Sequence, residues 1–412
     1  MIELHKIIDT DKYLWCRDAA LVRVINGKSV LTQISSDYTD DYTVNSVLLL
    51  NGNPIVQEKY PVCPTCSALL ARGYGIENTD CEELQMIRKK INSVYADFQT
   101  SIWNIEPILN LLDDGYYVIA DAKIYPTDGD NHFFANVPDK LSYITASCSS
   151  YYNSDFLTAV GGFPAFLYPT QSNAVLNPER ADYYFDMIDK DNAPRAIAYY
   201  DNGFICALLD GHHKAYAAAK KGCPLSTLVI IPMSGIYKEY DSEIEYAYFS
   251  EITIPLGELT AFHKNQTQAK QIIRFDTFHN ESIAENDFDF RFYPTVGELA
   301  GIYAAGLENV TVTKELVEQW IKNSDREDTI RLEYLLQYYA KRSPQQAYLI
   351  AKAVVSLAPE TERFSDLILI AYKIIAANQN SEAEQIVLDY IINHDNKSSA
   401  WDICSSYWED VK

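Results

Sequence analysis

The stretch from Phe204 to Pro232, "FICALLDGHHKAYAAAKKGCPLSTLVIIP", constrains the fold more than any other part of the chain. Two short apolar runs, "FICALL" and "LSTLVIIP", read as buried strands, and between them lies a segment with helical spacing. Gly211 permits a turn with positive φ and close backbone approach. The helix then begins around His212 and ends at Gly222, since glycine takes the left-handed C′ position without strain. Ala215, Ala218 and Ala219 share one helix face, so the helix packs close to a sheet. The segment therefore predicts a strand-turn-helix-strand unit.

The flanking sequence extends it. "FLYPTQ" from Phe166 is a short extended piece. Asn177-Pro178 reads as an N-cap with proline in the first helical position, opening "ERADYYFDMID". "PRAIAYYDNGFICALLD" reads as two strands around an Asn202-Gly203 turn. The order is strand, helix, hairpin, helix, strand. Nearer the start, Asn26-Gly27 and Asn51-Gly52 each predict a hairpin. "CEELQMIRKKINSVYADF" has apolar residues at helical steps, "IEPILNLLDD" predicts a short helix, and "YYVIADAKI" a strand. From "YPTVGELAGIYAAG" onward the pattern is helical. Thr295 with Glu298 and Ser381 with Glu384 read as capping boxes. Ala347 and Ala383 align in two similar helical segments, which resembles the tetratricopeptide class of helix-turn-helix repeats, although a generic helical-hairpin bundle fits as well.

A length of 412 residues predicts two or three domains. The boundaries fall at 1–140, a mixed α/β domain; 141–290, built around the unit above; and 291–412, all helical. The formal net charge of −23 disfavours a nucleic-acid partner, since such affinity rests on Lys and Arg neutralising phosphates. No apolar run reaches the ~20 residues of a membrane span. The opening "MIELHKIIDTDKYLW" lacks a signal-like apolar region, so a cytoplasmic location is the default expectation.

Eight cysteines are too few for a disulfide scaffold, and two form Cys63-Pro-Thr-Cys66. A CxxC knuckle supplies two of zinc's four ligands. Cys81 is the candidate third, with Cys16 or Cys148 as the fourth, for a structural rather than catalytic ion. Redox chemistry and independent thiols are the alternatives. "DGDNH" at 128–132 resembles the start of a calcium loop but lacks the distal glutamate.

The adjacent His212 and His213 allow several roles. Neighbouring helical residues point ~100° apart, so both binding one metal is awkward. The helix N-terminus is an anion site by its unpaired N–H groups and its dipole. Lys214 adds a charge, and Asp210 is placed to cap the helix, to orient a histidine or to bind Mg²⁺. One histidine would then act as general base or phosphate ligand, or the pair would be structural.

"PTQ" at Pro169 to Gln171, the helix from Asn177, and "DGHHKAYAAAKKG" followed by "LSTLVII" resemble the ParB/sulfiredoxin-like superfamily over about residues 165–233. The nearest form is its DGHHR-type variant, as in the free serine kinase branch. The resemblance implies an α/β domain that binds nucleotide phosphates at a Gly-x-x-Arg turn opening a helix. Here His212 stands where sulfiredoxin has its catalytic cysteine, and Lys214 replaces the arginine, keeping the charge without the bidentate fork. The expected class is α+β, with an N-terminal α/β region carrying a candidate zinc knuckle, a ParB/sulfiredoxin-like centre and a helical tail.

Two functions follow as expectations. One is a nucleotide-dependent phosphotransferase or NTPase using ATP, ADP or CTP. Gly211, Lys214, Thr170 and Gln171 would hold the nucleotide, and Asp210, His212 and His213 would do the chemistry. The other is a non-catalytic interaction or regulatory protein that binds a protein partner through its C-terminal helices. A nuclease reading ranks third because of the charge.

Overall fold

The computed structural model describes residues 1–11, 13, 15–35, 43–61, 70–79, 81, 82, 84, 97–126, 144, 145, 164, 166–188, 193–202, 205–238, 244–250, 252–259, 312–323 and 326–408. Its class is mixed α and β. Residues Met1–Ala300 form one compact unit and Gly301–Lys412 another.

The first unit is organised by β7 (Gly115–Ile124) and β12 (Leu225–Pro232), which pair antiparallel from Leu225↔Ile124 to Pro232↔Tyr117. Both are near-continuous runs of buried residues, the signature of strands covered on both faces. To one side of β7 lie β2 (Cys16–Val24) and then β1 (Ile2–Ile8). To the other side of β12 lie β10 (Ala196–Asn202), β11 (Ile205–Asp210) and β9 (Phe166–Tyr168), completing a seven-stranded sheet. β10 runs parallel to β12, β9 parallel to β11, and β10 antiparallel to β11. The sheet thus draws strands from both the 1–140 and the 141–290 segments. Helices α3 (Pro178–Phe185) and α4 (His212–Lys221) pack on one another, with Asn177 as the N-cap of α3 and Gly222, at φ 67°, ending α4.

The two Asn-Gly dipeptides behave differently. At Asn51 and Gly52 both φ values are positive, 52° and 73°, and the turn joins β4 (Thr43–Leu50) to β5 (Asn53–Pro61) as a two-residue hairpin. At Asn26-Gly27 no hairpin forms. β2 belongs to the seven-stranded sheet, whereas the next strand, β3 (Leu31–Ser35), pairs with β4 in a five-stranded sheet completed by β5, β6 (Leu70–Gly73) and β8 (Ile144–Thr145). Side-chain and backbone acceptors from residues 110–114 hold the chain there instead: Gly27 N–H donates to Asp114 Oδ1 at 2.5 Å and Lys28 N–H to Asn110 O at 2.9 Å. A Cβ on Gly27 would lie 2.1 Å from the Leu112 carbonyl oxygen, so this glycine serves a close approach rather than a turn back. The expected helix at "IEPILNLLDD" shortens to Glu106–Leu109, α2, which follows α1 (Phe98–Asn104). The expected helix from Cys81 lies almost wholly outside the described residues.

A third sheet of β13 (Gly235–Lys238), β14 (Glu245–Phe249) and β15 (Ile252–Pro255) follows β12 in the chain. Its strands of four and five residues are too short for a clear alternation, yet Ala247, Phe249, Ile252 and Ile254 are buried together on one face.

The second unit is helical: α5 (Lys314–Lys322), α6 (Arg326–Arg342), α7 (Pro344–Leu357), α8 (Ser365–Ala376), α9 (Ser381–Asn393) and α10 (Trp401–Ser406). Ala347 and Ala383, the aligned pair, are both fully buried in α7 and α9. The cap of α9 is Asn380, whose side chain accepts from Ala383 N–H, so Ser381 is the first helical residue and not the cap. Thr295 and Glu298 lie outside the described residues. Among the described residues no helix is long and apolar enough to cross a membrane.

One ion cluster ties the first unit together. Asp121 in β7 is 2% exposed and receives both forks of Arg195, Nε at 2.9 Å and the adjacent NH2 group, together with Arg17 NH2 at 2.5 Å. Arg195 NH1 also donates to Ser101 Oγ of α1 at 2.9 Å. Removing one member of a buried pair leaves the other charge without compensation. Asp121→Asn is therefore expected to lower unfolding stability by about 3–5 kcal/mol, read from the urea midpoint, while Arg17→Ala, at a side chain 65% exposed, costs about 1 kcal/mol or less.

Candidate functional site

The site is built at the junction of β11 and α4. Gly211 is the N-cap of α4 at φ 104°, and a Cβ there would lie 2.9 Å from Ala196 Cβ on β10, so only glycine allows the helix to start this close to the sheet. The N-cap residue itself, a glycine, brings no side chain to the first turn of α4. Asp210 Oδ2 lies 3.5 Å from Lys214 Nζ, one helical turn on.

Lys214 does not face solvent. It is 2% exposed and donates from Nζ to the Arg195 carbonyl oxygen at 2.8 Å, with the Tyr184 ring 5.7 Å away. Burial pushes its ammonium below the usual lysine range, and Asp210 pulls it part of the way back. Its charge is matched to Asp210, which would otherwise repel an anion at this turn.

The two histidines use the same atom for the same purpose on two different partners. His212 Nε2 accepts from the Thr170 backbone N–H at 3.2 Å, and His213 Nε2 accepts from the Asn177 backbone N–H at 3.0 Å. Thr170 Oγ1, 3.1 Å from the His212 nitrogen, gives its own proton to the Leu208 carbonyl at 2.5 Å. A nitrogen that accepts carries a lone pair, so His212 in this arrangement is the neutral tautomer with its proton on Nδ1. The lone pair that a general base needs is already engaged at each Nε2. Together the imidazoles pin both ends of the 170–177 segment against the start of α4.

A second element holds that segment from the other side. Ile76 N–H donates to the Thr170 carbonyl at 2.7 Å, and Ser172 donates through Oγ to Glu77 Oε1 at 2.5 Å. Gln171, between these anchors, lines a pocket with Asp210, His213 and the start of α4. Arg180 and Tyr184 from α3 form the remaining wall. Arg180 is exposed, and its guanidinium lies 5.9 Å from the centre of the Tyr184 ring. The pocket encloses about 60 Å³, far below the ~300 Å³ of a small-molecule site.

Neither a family model, nor a curated protein, nor a solved structure matches the chain. The site has to be read from its own chemistry.

Of the residues expected from sequence, Thr170, Gln171, Asp210, Gly211, His212, His213 and Lys214 come together here. Of the candidate zinc ligands, Cys16 sits in β2 opposite Ala122 and Cys81 is buried after the Ile76–Asn78 turn. Cys63, Cys66, Cys148 and the "DGDNH" segment lie outside the described residues. Among the described residues no group of three or more His, Cys, Asp or Glu side chains is placed to hold a metal ion. Arg180, Tyr184 and Glu77 were not legible as site residues, because helix packing and a contact 95 residues apart in sequence bring them in. The one local signal was that Arg180 falls in the first turn after the Asn177 cap.

Burial separates the two histidines energetically. Thr170 is fully buried and His212 5% exposed, so His212→Ala strands a buried N–H and is expected to cost about 2 kcal/mol or more. Asn177 is exposed, and water replaces the acceptor in His213→Ala, for a cost of about 0.5 kcal/mol. Chemical denaturation of the two variants, with hydrogen exchange at residues 170–177, measures the difference.

Proposed function

We propose that the chain binds a phosphate-bearing ligand, a nucleotide such as ATP, ADP or CTP, at the start of α4. The observation that carries this reading is the convergence of the glycine-capped start of α4 and the exposed Arg180 on one small polar pocket. The positive end of the helix dipole attracts an anion, and a guanidinium supplies the bidentate fork for phosphate. Arg180 thereby takes the role that Lys214, turned inward, does not perform. The likeness of residues 165–233 to the ParB/sulfiredoxin-like superfamily supports the nucleotide. A pocket of about 60 Å³ takes a phosphate group alone, with the remainder of the ligand lying outside it.

Phosphotransfer is the weaker version. It needs His212 or His213 to deprotonate an acceptor, yet both Nε2 atoms hold backbone N–H groups, and it needs Asp210 to bind Mg²⁺ while Asp210 faces Lys214. Zinc at Cys63, Cys66, Cys81 and Cys16 is a separate proposal that this one does not use.

A second reading, a protein partner bound through the helical unit, is favoured by a cavity of about 460 Å³ between α5 and α7.

Titration calorimetry with ATP, ADP, CTP and pyrophosphate tests the first reading. Saturable binding is expected, weakened about ten- to a hundredfold in Arg180→Ala, the loss of one charge-assisted contact. Absence of binding, or binding unchanged in Arg180→Ala, overturns it.

A further inference from the structure

The groove in the helical unit has a definite shape and charge. Its long wall is one stripe of α7, where Gln346, Leu349, Ile350, Ala353 and Ser356 recur at helical steps. Ten residues along a helix axis span ~15 Å, close to three turns of a second helix laid alongside. Val312, just before α5, and Val317, within it, close the other wall. The floor is apolar, and Leu349 is 57% exposed at its lip, an uncovered anchor rather than a core residue.

The rim is where this surface departs from the rest of the chain. Asp and Glu outnumber Lys and Arg by 57 to 34, yet the two charged residues lining the groove are both lysines, Lys314 and Lys352. Lys352 already holds a carboxylate, Glu382 of α9, at 2.7 Å. That pair is solvent-exposed, with Glu382 57% exposed, so its strength is small and an incoming carboxylate can exchange with it.

We infer that this groove docks an acidic amphipathic helix of a partner protein, with its apolar stripe along Leu349, Ile350 and Ala353 and its carboxylates on Lys314 and Lys352. The inference rests on the second reading above and adds the chemistry of the partner. Apolar anchors at i, i+3, i+4 and i+7 are the means by which a helix fills a groove of this kind. The paired lysines select the sign of its flanks.

The test uses the full chain and a labelled helical peptide of about 16 residues, with leucines at i, i+3, i+4 and i+7 flanked by glutamates, and a second peptide with lysines in place of the glutamates. Fluorescence anisotropy is expected to show saturable binding of the acidic peptide and at least about tenfold weaker binding of the basic one. Leu349→Glu, at an exposed position, should weaken the acidic peptide at least about tenfold. The double variant Lys314→Glu with Lys352→Glu should reverse the preference. Equal binding of the two peptides, or preference for the basic one, with Leu349 still required overturns the charge assignment and leaves the second reading standing. Binding of neither peptide overturns both. Saturable uptake of palmitate without peptide binding assigns the groove to an apolar small molecule. A dimer in sedimentation that Leu349→Glu dissociates assigns it to a second copy of the chain. Either result overturns the inference.

Discussion

Asp121 lies in the middle of the seven-stranded sheet, and a carboxylate at that depth needs cations within hydrogen-bond reach. Arg195, immediately before β10, and Arg17 in β2 supply them. That requirement fixes the positions of β2, β7 and β10 relative to one another, and Ser101 on Arg195 draws in α1. It also reaches the candidate site, because the carbonyl of the same Arg195 receives the buried ammonium of Lys214. The start of α4 is therefore held by the chain that the ion cluster holds.

This arrangement gives each polar group at the turn a mechanical role before any chemical one. Lys214 neutralises Asp210 and ties α4 to the sheet. The histidines accept two backbone N–H groups seven residues apart, and Glu77 holds the same segment through Ser172. The start of α4 and the side chain of Arg180 line the pocket beside them. A site made of fixed dipoles with one exposed cation is suited to holding an anion, and a small pocket limits the hold to the anionic group itself.

The helical unit follows a different logic. Its core joins large apolar residues such as Leu335, Leu336, Leu367 and Ile375 with the buried alanines Ala347 and Ala383. Between α5 and α7 the packing leaves a groove with an apolar floor and lysines on the rim, on a chain whose formal charge is −23. Charge of the opposite sign to the bulk, placed beside apolar surface, discriminates between partners more than it adds affinity.

Local pattern determined a good deal. The Asn177-Pro178 start of α3, the Gly211 and Gly222 limits of α4, the Asn51-Gly52 hairpin and the aligned alanines were legible because each depends on the φ, the cap or the spacing of a few adjacent residues. The same local reasoning failed at Asn26-Gly27, where the acceptors of residues 110–114 override the hairpin preference, and at Ser381, where the neighbouring Asn380 is the cap. It also found the Asp210–Lys214 turn without its meaning. Whether Lys214 faces a ligand or the core, whether an imidazole lone pair is free, and whether Arg180 joins the turn depend on Arg195, Thr170, Asn177 and the packing of α3 on α4. Those partners lie 19 to 42 residues away along the chain for the side chains of the turn itself. The sequence by itself determined that a helix starts at His212 with its positive end beside a strand; tertiary structure decided which partners the side chains at that end meet, because hydrogen-bond partners are a matter of distance in space.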